Sequence, residues 1–160
     1  MKQEIFDKIE RPFILKSTLN TSNFDDWING LRSNDNRKFV AVLRGERMKD
    51  MNSFLQEIAA ALQFPHYFGN NWNALDECIK DLSWIPENTF VIGISNSESI
   101  LSQCSTEDRQ AFGELLRETC ASWSQPYDED KEWGRPGRPF HVVMQCQDER
   151  QLEKFGDIFA

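Results

Sequence analysis

No stretch of this chain approaches the ~20 consecutive apolar residues that span a bilayer, so no membrane helix and no membrane partner are expected. Its two histidines, His66 and His141, stand far apart, and Cys78, Cys104, Cys120 and Cys146 include no C-x-x-C pair. Zinc spacing is therefore missing. Neither a G-x-x-x-x-G-K-[ST] phosphate loop nor a G-x-S-x-G elbow occurs, and no metal or cofactor is expected. Basic residues are scarce as well: 18 Lys and Arg face 26 Asp and Glu, for a net charge of -8. With no basic stripe to neutralise phosphates, nucleic acid is not an expected partner; the acidic balance suits either solubility alone or attraction to a basic partner. The start, Met1 to Asp7, has neither a long apolar run nor a small-residue cleavage site. The expectation is a cytoplasmic protein with reduced thiols.

Apolar residues make up 39% of the 160, enough for a globular core. The reading is a single domain over residues 1–160. Phe13-Ile14-Leu15 is a short strand, and Phe24, Trp27, Ile28 and Leu31 mark a helix capped by Ser22 or Asn23. Phe39–Leu43 reads as a buried strand, and Met51, Phe54, Leu55, Ile58 and Leu62 as a helical stripe capped by Asp50. A second strong strand covers Thr89–Ile94, and a short helix is expected to hold Ile100 and Leu101. A longer helix starts near Ser105 or Thr106 and buries Phe112, Leu115, Leu116 and Trp123. The last strand is Phe140–Met144, and a closing helix over 148–160 carries Leu152, Phe155, Ile158 and Phe159. Strands joined by helical crossovers pair in parallel, which gives an α/β fold with a small three- to four-stranded parallel sheet flanked by helices. Pro126 to Pro139, with three prolines and four acids, reads as a solvated surface loop.

The most informative segment is Phe64-Pro65-His66-Tyr67-Phe68-Gly69-Asn70-Asn71-Trp72, which runs straight into a helix. Pro65 is expected to end the helix before it, and Gly69 to take a backbone angle closed to other residues. Asn70 or Asn71 is placed to cap the next helix. With Leu75, Cys78, Ile79 and Leu82 turned inward, Asn73, Asp76, Glu77 and Lys80 share the outer face. Those carboxylates either meet a cationic partner or simply complement the helix dipole. Of Tyr67, Phe68 and Trp72, two are expected in the core and one outside, without the sequence saying which. His66 beside Asp76 or Glu77 has acid–base potential, but nothing supplies a nucleophile or an oxyanion site. Cys78 reads as packing, and His141 as a satisfied structural residue.

Phe64 to Ile79 resembles the signature segment of the barstar family of ribonuclease inhibitors. The order of elements over roughly residues 38–146 is similar too, leaving 1–37 as an N-terminal extension and 148–160 as an added helix. The resemblance implies an intracellular immunity protein, without catalysis, that plugs the active site of a bacterial ribonuclease toxin. Tyr67, Gly69 and Asn71 match family contact positions, and Glu77 falls where the family has its central Asp. Glu118 matches a second acid, and Trp72 would add apolar contact. Asn73 stands in place of a contacting Asp, and Asp76 in place of a Trp. That shift of charge points to a toxin related to barnase rather than barnase itself. Two alternatives stand: an immunity or adaptor protein for a non-ribonuclease partner, and a small hydrolase using His66 with Asp76 or Glu77. The oligomeric state is left open.

Overall fold

The computed structural model describes residues 2–34 and 37–159. Four strands, β1 (Ile14–Ser17), β2 (Lys38–Arg44), β3 (Thr89–Ser95) and β4 (Phe140–Gln145), form one sheet in the order β1-β4-β3-β2. All three pairings are parallel. Four α-helices accompany them: α1 (Thr21–Asn34), α2 (Met51–Ala61), α3 (Trp72–Asp81) and α4 (Thr106–Trp123). The expected α/β class and parallel sheet are thus present, at the upper end of the expected strand count.

Side chains alternate along the strands, so each face of the sheet collects its own core. Phe90, Ile92 and Ile94 of β3 join Phe140, Val142 and Met144 of β4 under α2, α3 and α4. Val40, Val91 and Val143 point the other way, to Phe24, Ile28 and Leu31 of α1 and to Phe6. Gly93 makes the seating of α1 possible: a Cβ there would lie 2.7 Å from Ile28 Cγ1 and 3.3 Å from Phe24 Cζ. The N-terminal extension therefore supplies both an edge strand and the helix that covers one face of the sheet.

Several local expectations need correction. Asn20, not Ser22 or Asn23, caps α1: its Oδ1 accepts from Asn23 N at 2.8 Å and its carbonyl from Phe24 N at 2.9 Å. Pro65 does not end α2. The helix stops at Ala61 because Gln63 turns left-handed (φ 56°), with the amides of Phe64 and Gln63 donating to Ala59 and Ala60. That pattern satisfies the last carbonyls before the proline is reached. Ile100 and Leu101 are buried but follow a 3-10 turn, Ser97–Ser99, and Leu101 N donates to Met48 O at 2.7 Å. The closing helix is a 3-10 segment, Glu149–Phe155, ended by Gly156 at φ 82°. Ile158 and Phe159 pack beyond it in non-helical chain, and Met1 and Ala160 lie outside the described residues. Asp50 caps α2 as expected, accepting from Ser53 N at 3.0 Å. Ser105 and Asp108 form a reciprocal capping box on α4.

Candidate functional site

The loop before α3 is built by its asparagines. Asn71 has extended backbone and its Oδ1 accepts from Ala74 N at 2.9 Å, making it the N-cap of α3. Asn70, not Gly69, takes the left-handed conformation, at φ 52°. Gly69 serves instead by being small: a Cβ there would lie 3.2 Å from Asn71 Nδ2, the group that donates to Gly69 O at 3.1 Å. Asparagine fills a left-handed position more readily than most residues, which is why glycine was not needed for it.

Tyr67 is the exposed member of the three aromatics, at 65%. Phe68 and Trp72 are half-buried; Phe68 packs edge-on to Phe64 at 5.0 Å and Trp72 lies 5.4 Å from Phe54. Leu75, Cys78, Ile79 and Leu82 are buried as expected, and burial pushes the Cys78 thiol up, with Asp81 and Glu77 adding to the shift. Cys78 is a packing residue.

On the outer face, Asn73 and Glu77 are exposed, but the other acids are engaged. Lys80 Nζ lies 2.5 Å from Asp76 Oδ1 and 3.6 Å from Glu118 Oε2 on α4. Glu77 has no ion-pair partner among the described residues, so it is the free carboxylate of the four-residue row. His66 is exposed beside Tyr67, with ring centroids 6.0 Å apart, and forms no hydrogen bond or ion pair with Asp76 or Glu77. The geometry that a His–carboxylate hydrolase needs is not assembled here. His141 is fully buried between Phe6 (5.5 Å) and Phe13 (5.7 Å), yet neither ring nitrogen has a hydrogen-bond partner of good geometry among the described residues. The expectation of a satisfied histidine fails in that respect.

Beyond α3 the surface continues into a feature that sequence reasoning treated as solvated loop. Tyr127 and Arg135 exchange backbone hydrogen bonds at 2.9 Å each way, and Arg138 N donates to Trp123 O at 2.7 Å. The Arg135 guanidinium lies 3.8 Å over the Trp123 ring, whose Nε1 donates to Ile79 O at 3.0 Å. Burial lowers the Arg135 pKa, nearby Arg138 lowers it further, and Tyr127 and Asp81 counter the shift. Between this pinned loop and α3 runs a cleft of about 820 Å³, bordered by Glu77, Asp81, Tyr127 and Trp133. Trp133 is 71% exposed and Tyr127 58%. One signal was legible: a tryptophan set among Asp128, Glu129, Asp130 and Glu132 has no apolar neighbours in sequence to bury it.

The fold and surface together define a small parallel α/β protein whose exposed aromatics and free acid gather around one helix. The family model described as Barstar (barnase inhibitor) matches residues 38–145, two-thirds of the sequence. This chain belongs to the barstar family, whose members are inhibitors rather than enzymes. No curated protein matches it. Among solved structures it matches a chain in the structure of Drosophila ORC bound to AT-rich DNA and Cdc6, at 14% identity and a TM-score of 0.48. That match covers 96% of this chain and 47% of the other, and at so low a score it carries no argument. Among the described residues no helix is long and apolar enough to cross a membrane.

Proposed function

We propose that this protein is a cytoplasmic immunity protein that binds and occludes the active site of a bacterial ribonuclease toxin. Family membership supports an inhibitor role, and the observation that carries the site is the state of Glu77. It stands exposed at the centre of the matched motif with no internal cation, while Asp76 and Glu118 share Lys80. An anionic group held on a rigid helix suits a catalytic centre built to bind phosphate, where Arg, Lys or His⁺ groups converge. Tyr67 and Trp72 supply apolar contact, Gly69 and Asn71 hold the loop, and Asn73 offers a neutral hydrogen bond. The net charge of -8 favours fast encounter with a basic toxin; the barnase–barstar pair is itself the standard illustration of such steering.

The test uses a panel of secreted bacterial ribonucleases of the barnase type. Glu77→Lys should abolish inhibition and binding while the melting temperature stays unchanged. Wild-type affinity in that variant removes the site assignment. An association rate indifferent to ionic strength argues against steering.

A further inference from the structure

Among the described residues, three of the five exposed large hydrophobic side chains, Tyr67, Tyr127 and Trp133, lie on the loop before α3 or on its cleft. A helix of ten residues is about 15 Å long, and its outer face alone falls well short of the roughly 800 Å² per partner of a stable complex. The Pro126–Pro139 loop supplies the missing area beside it. That loop is a built wall. Its base is the Tyr127–Arg135 backbone pair, and a Cβ on Gly134 would lie 1.9 Å from Asp128 O, so the turn closes as tightly as the chain permits. Arg135 is already engaged, stacked on Trp123 and donating to the carbonyls of Gln125 and Pro136. Its guanidinium locks the wall and is not offered to a ligand.

What the cleft offers outward is an exposed indole and phenol and the carboxylates of Glu77 and Asp81, and the loop that walls it carries four exposed acids, Asp128, Glu129, Asp130 and Glu132, beside Lys131. Arg138 is the one cation of the lining, besides the engaged Lys80 and Arg135, and it lies half-buried beside Arg135 at the base. Guanidinium groups stack on aromatic faces and pair with carboxylates in the same pose. We propose that the cleft between α3 and the Pro126–Pro139 loop is a second subsite for the ribonuclease partner, taking an arginine-bearing basic segment of that partner across Trp133 and against Glu77 and Asp81. The subsite rests on the inhibitor reading given above. It assigns the loop the job of choosing which ribonuclease is bound.

The experiment measures binding of the same panel of barnase-type ribonucleases to wild type, Glu77→Lys, Trp133→Ala and Trp133→Phe. Trp133→Ala should weaken binding at least about tenfold, mainly through faster dissociation, as loss of an interface anchor does. Trp133→Phe should recover most of that loss, and neither change should shift the melting temperature of so exposed a residue. If Glu77→Lys abolishes binding while Trp133→Ala binds like wild type, the subsite is overturned and the inhibitor reading stands. If wild type fails to bind any ribonuclease of the panel, both fall together. Concentration-dependent dimerisation in sedimentation that Trp133→Ala abolishes, with ribonuclease binding untouched, overturns the subsite in favour of a second copy of this chain.

Discussion

Lys80 lies 2.5 Å from Asp76, one helical turn away, and that pair leaves Glu77 as the open acid of the row Asn73, Asp76, Glu77 and Lys80. Its Nζ also reaches Glu118 at 3.6 Å, so one cation offsets two carboxylates. Asp76→Asn should therefore change ribonuclease affinity by less than about threefold, the scale of an exposed pair, whereas Glu77→Gln should cost at least about tenfold. Lys80→Met carries the sharper expectation. Freeing Asp76 and Glu118 should raise the association rate toward a basic partner at low salt. Stopped-flow association of the three variants separates these outcomes, and equal losses for Asp76→Asn and Glu77→Gln would remove Lys80 from the argument.

Asn71 has a structural duty that must be told apart from any contact. Its side chain satisfies the Ala74 amide at 2.9 Å. Asn71→Ala should lower unfolding stability by about 1 kcal/mol, and Asn71→Asp should keep nearly all of it, since both Asn and Asp cap well. Urea unfolding reads this directly, with no partner present. A silent Asn71→Ala variant would mean that α3 is held by packing alone.

The apolar periodicities were enough to locate the four strands and α1 to α4, because burial on a sheet face or helix stripe is written into spacing of two or 3.6, but not the 3-10 turns near Ile100 and at the C-terminal end. The buried row of α3 and the Asp50 cap were legible for the same local reason, while the α3 cap was narrowed only to Asn70 or Asn71 and the start of α4 to Ser105 or Thr106. The end of α2 was not: Gln63 takes a left-handed turn that glycine usually fills, and nothing in its side chain announces it. The Asp76–Lys80 pair lay at readable spacing, but Glu118 joins it only through the packing of α3 on α4. Trp133 and Tyr127 were passed over because loop composition says nothing of how a loop is tied down. Their role depends on Arg135 reaching Trp123, a contact that exists only after folding.

His141 predicts a pH dependence. Burial holds its folded-state pKa below 6.5, opposed by the nearby Glu10 carbonyl and the Asp7 carboxylate. At pH values between that depressed value and 6.5 the unfolded chain binds more protons at this site than the folded one. Stability should therefore rise with pH across that window and fall as the solution is acidified below 6.5. Asp50, whose carboxyl is lowered by its bonds to Ser53, adds a separate loss only below 3.8. His141→Phe, set between Phe6 and Phe13, removes the buried titrating ring and should flatten the upper window while leaving the lower one. Thermal melts from about pH 2 to pH 8 (roughly the span in which carboxylates and histidine titrate) check this. An unchanged slope in the variant would place the titrating group elsewhere.

Two glycines inside helices should respond to the same substitution with opposite signs. Replacing a mid-helix glycine by alanine ordinarily stabilises by roughly 0.5–1 kcal/mol, because the unfolded chain loses freedom. Gly30 in α1 meets that condition: a Cβ there has nothing within 4 Å. Gly113 in α4 does not. Its added Cβ would sit 1.8 Å from the Phe155 carbonyl oxygen and 3.1 Å from Ile158 Cγ2. A backbone carbonyl cannot rotate aside as a side chain can, so the C-terminal segment must lift off α4 and give up part of the burial of Phe155 and Ile158. Overpacking of this kind costs about 1–3 kcal/mol, which exceeds the helix-propensity gain. Gly30→Ala should therefore raise the urea midpoint and Gly113→Ala lower it, with faster proteolysis after residue 148 in the second variant alone. A gain in both would show that the C-terminal segment yields freely and contributes little to holding α4 against the sheet.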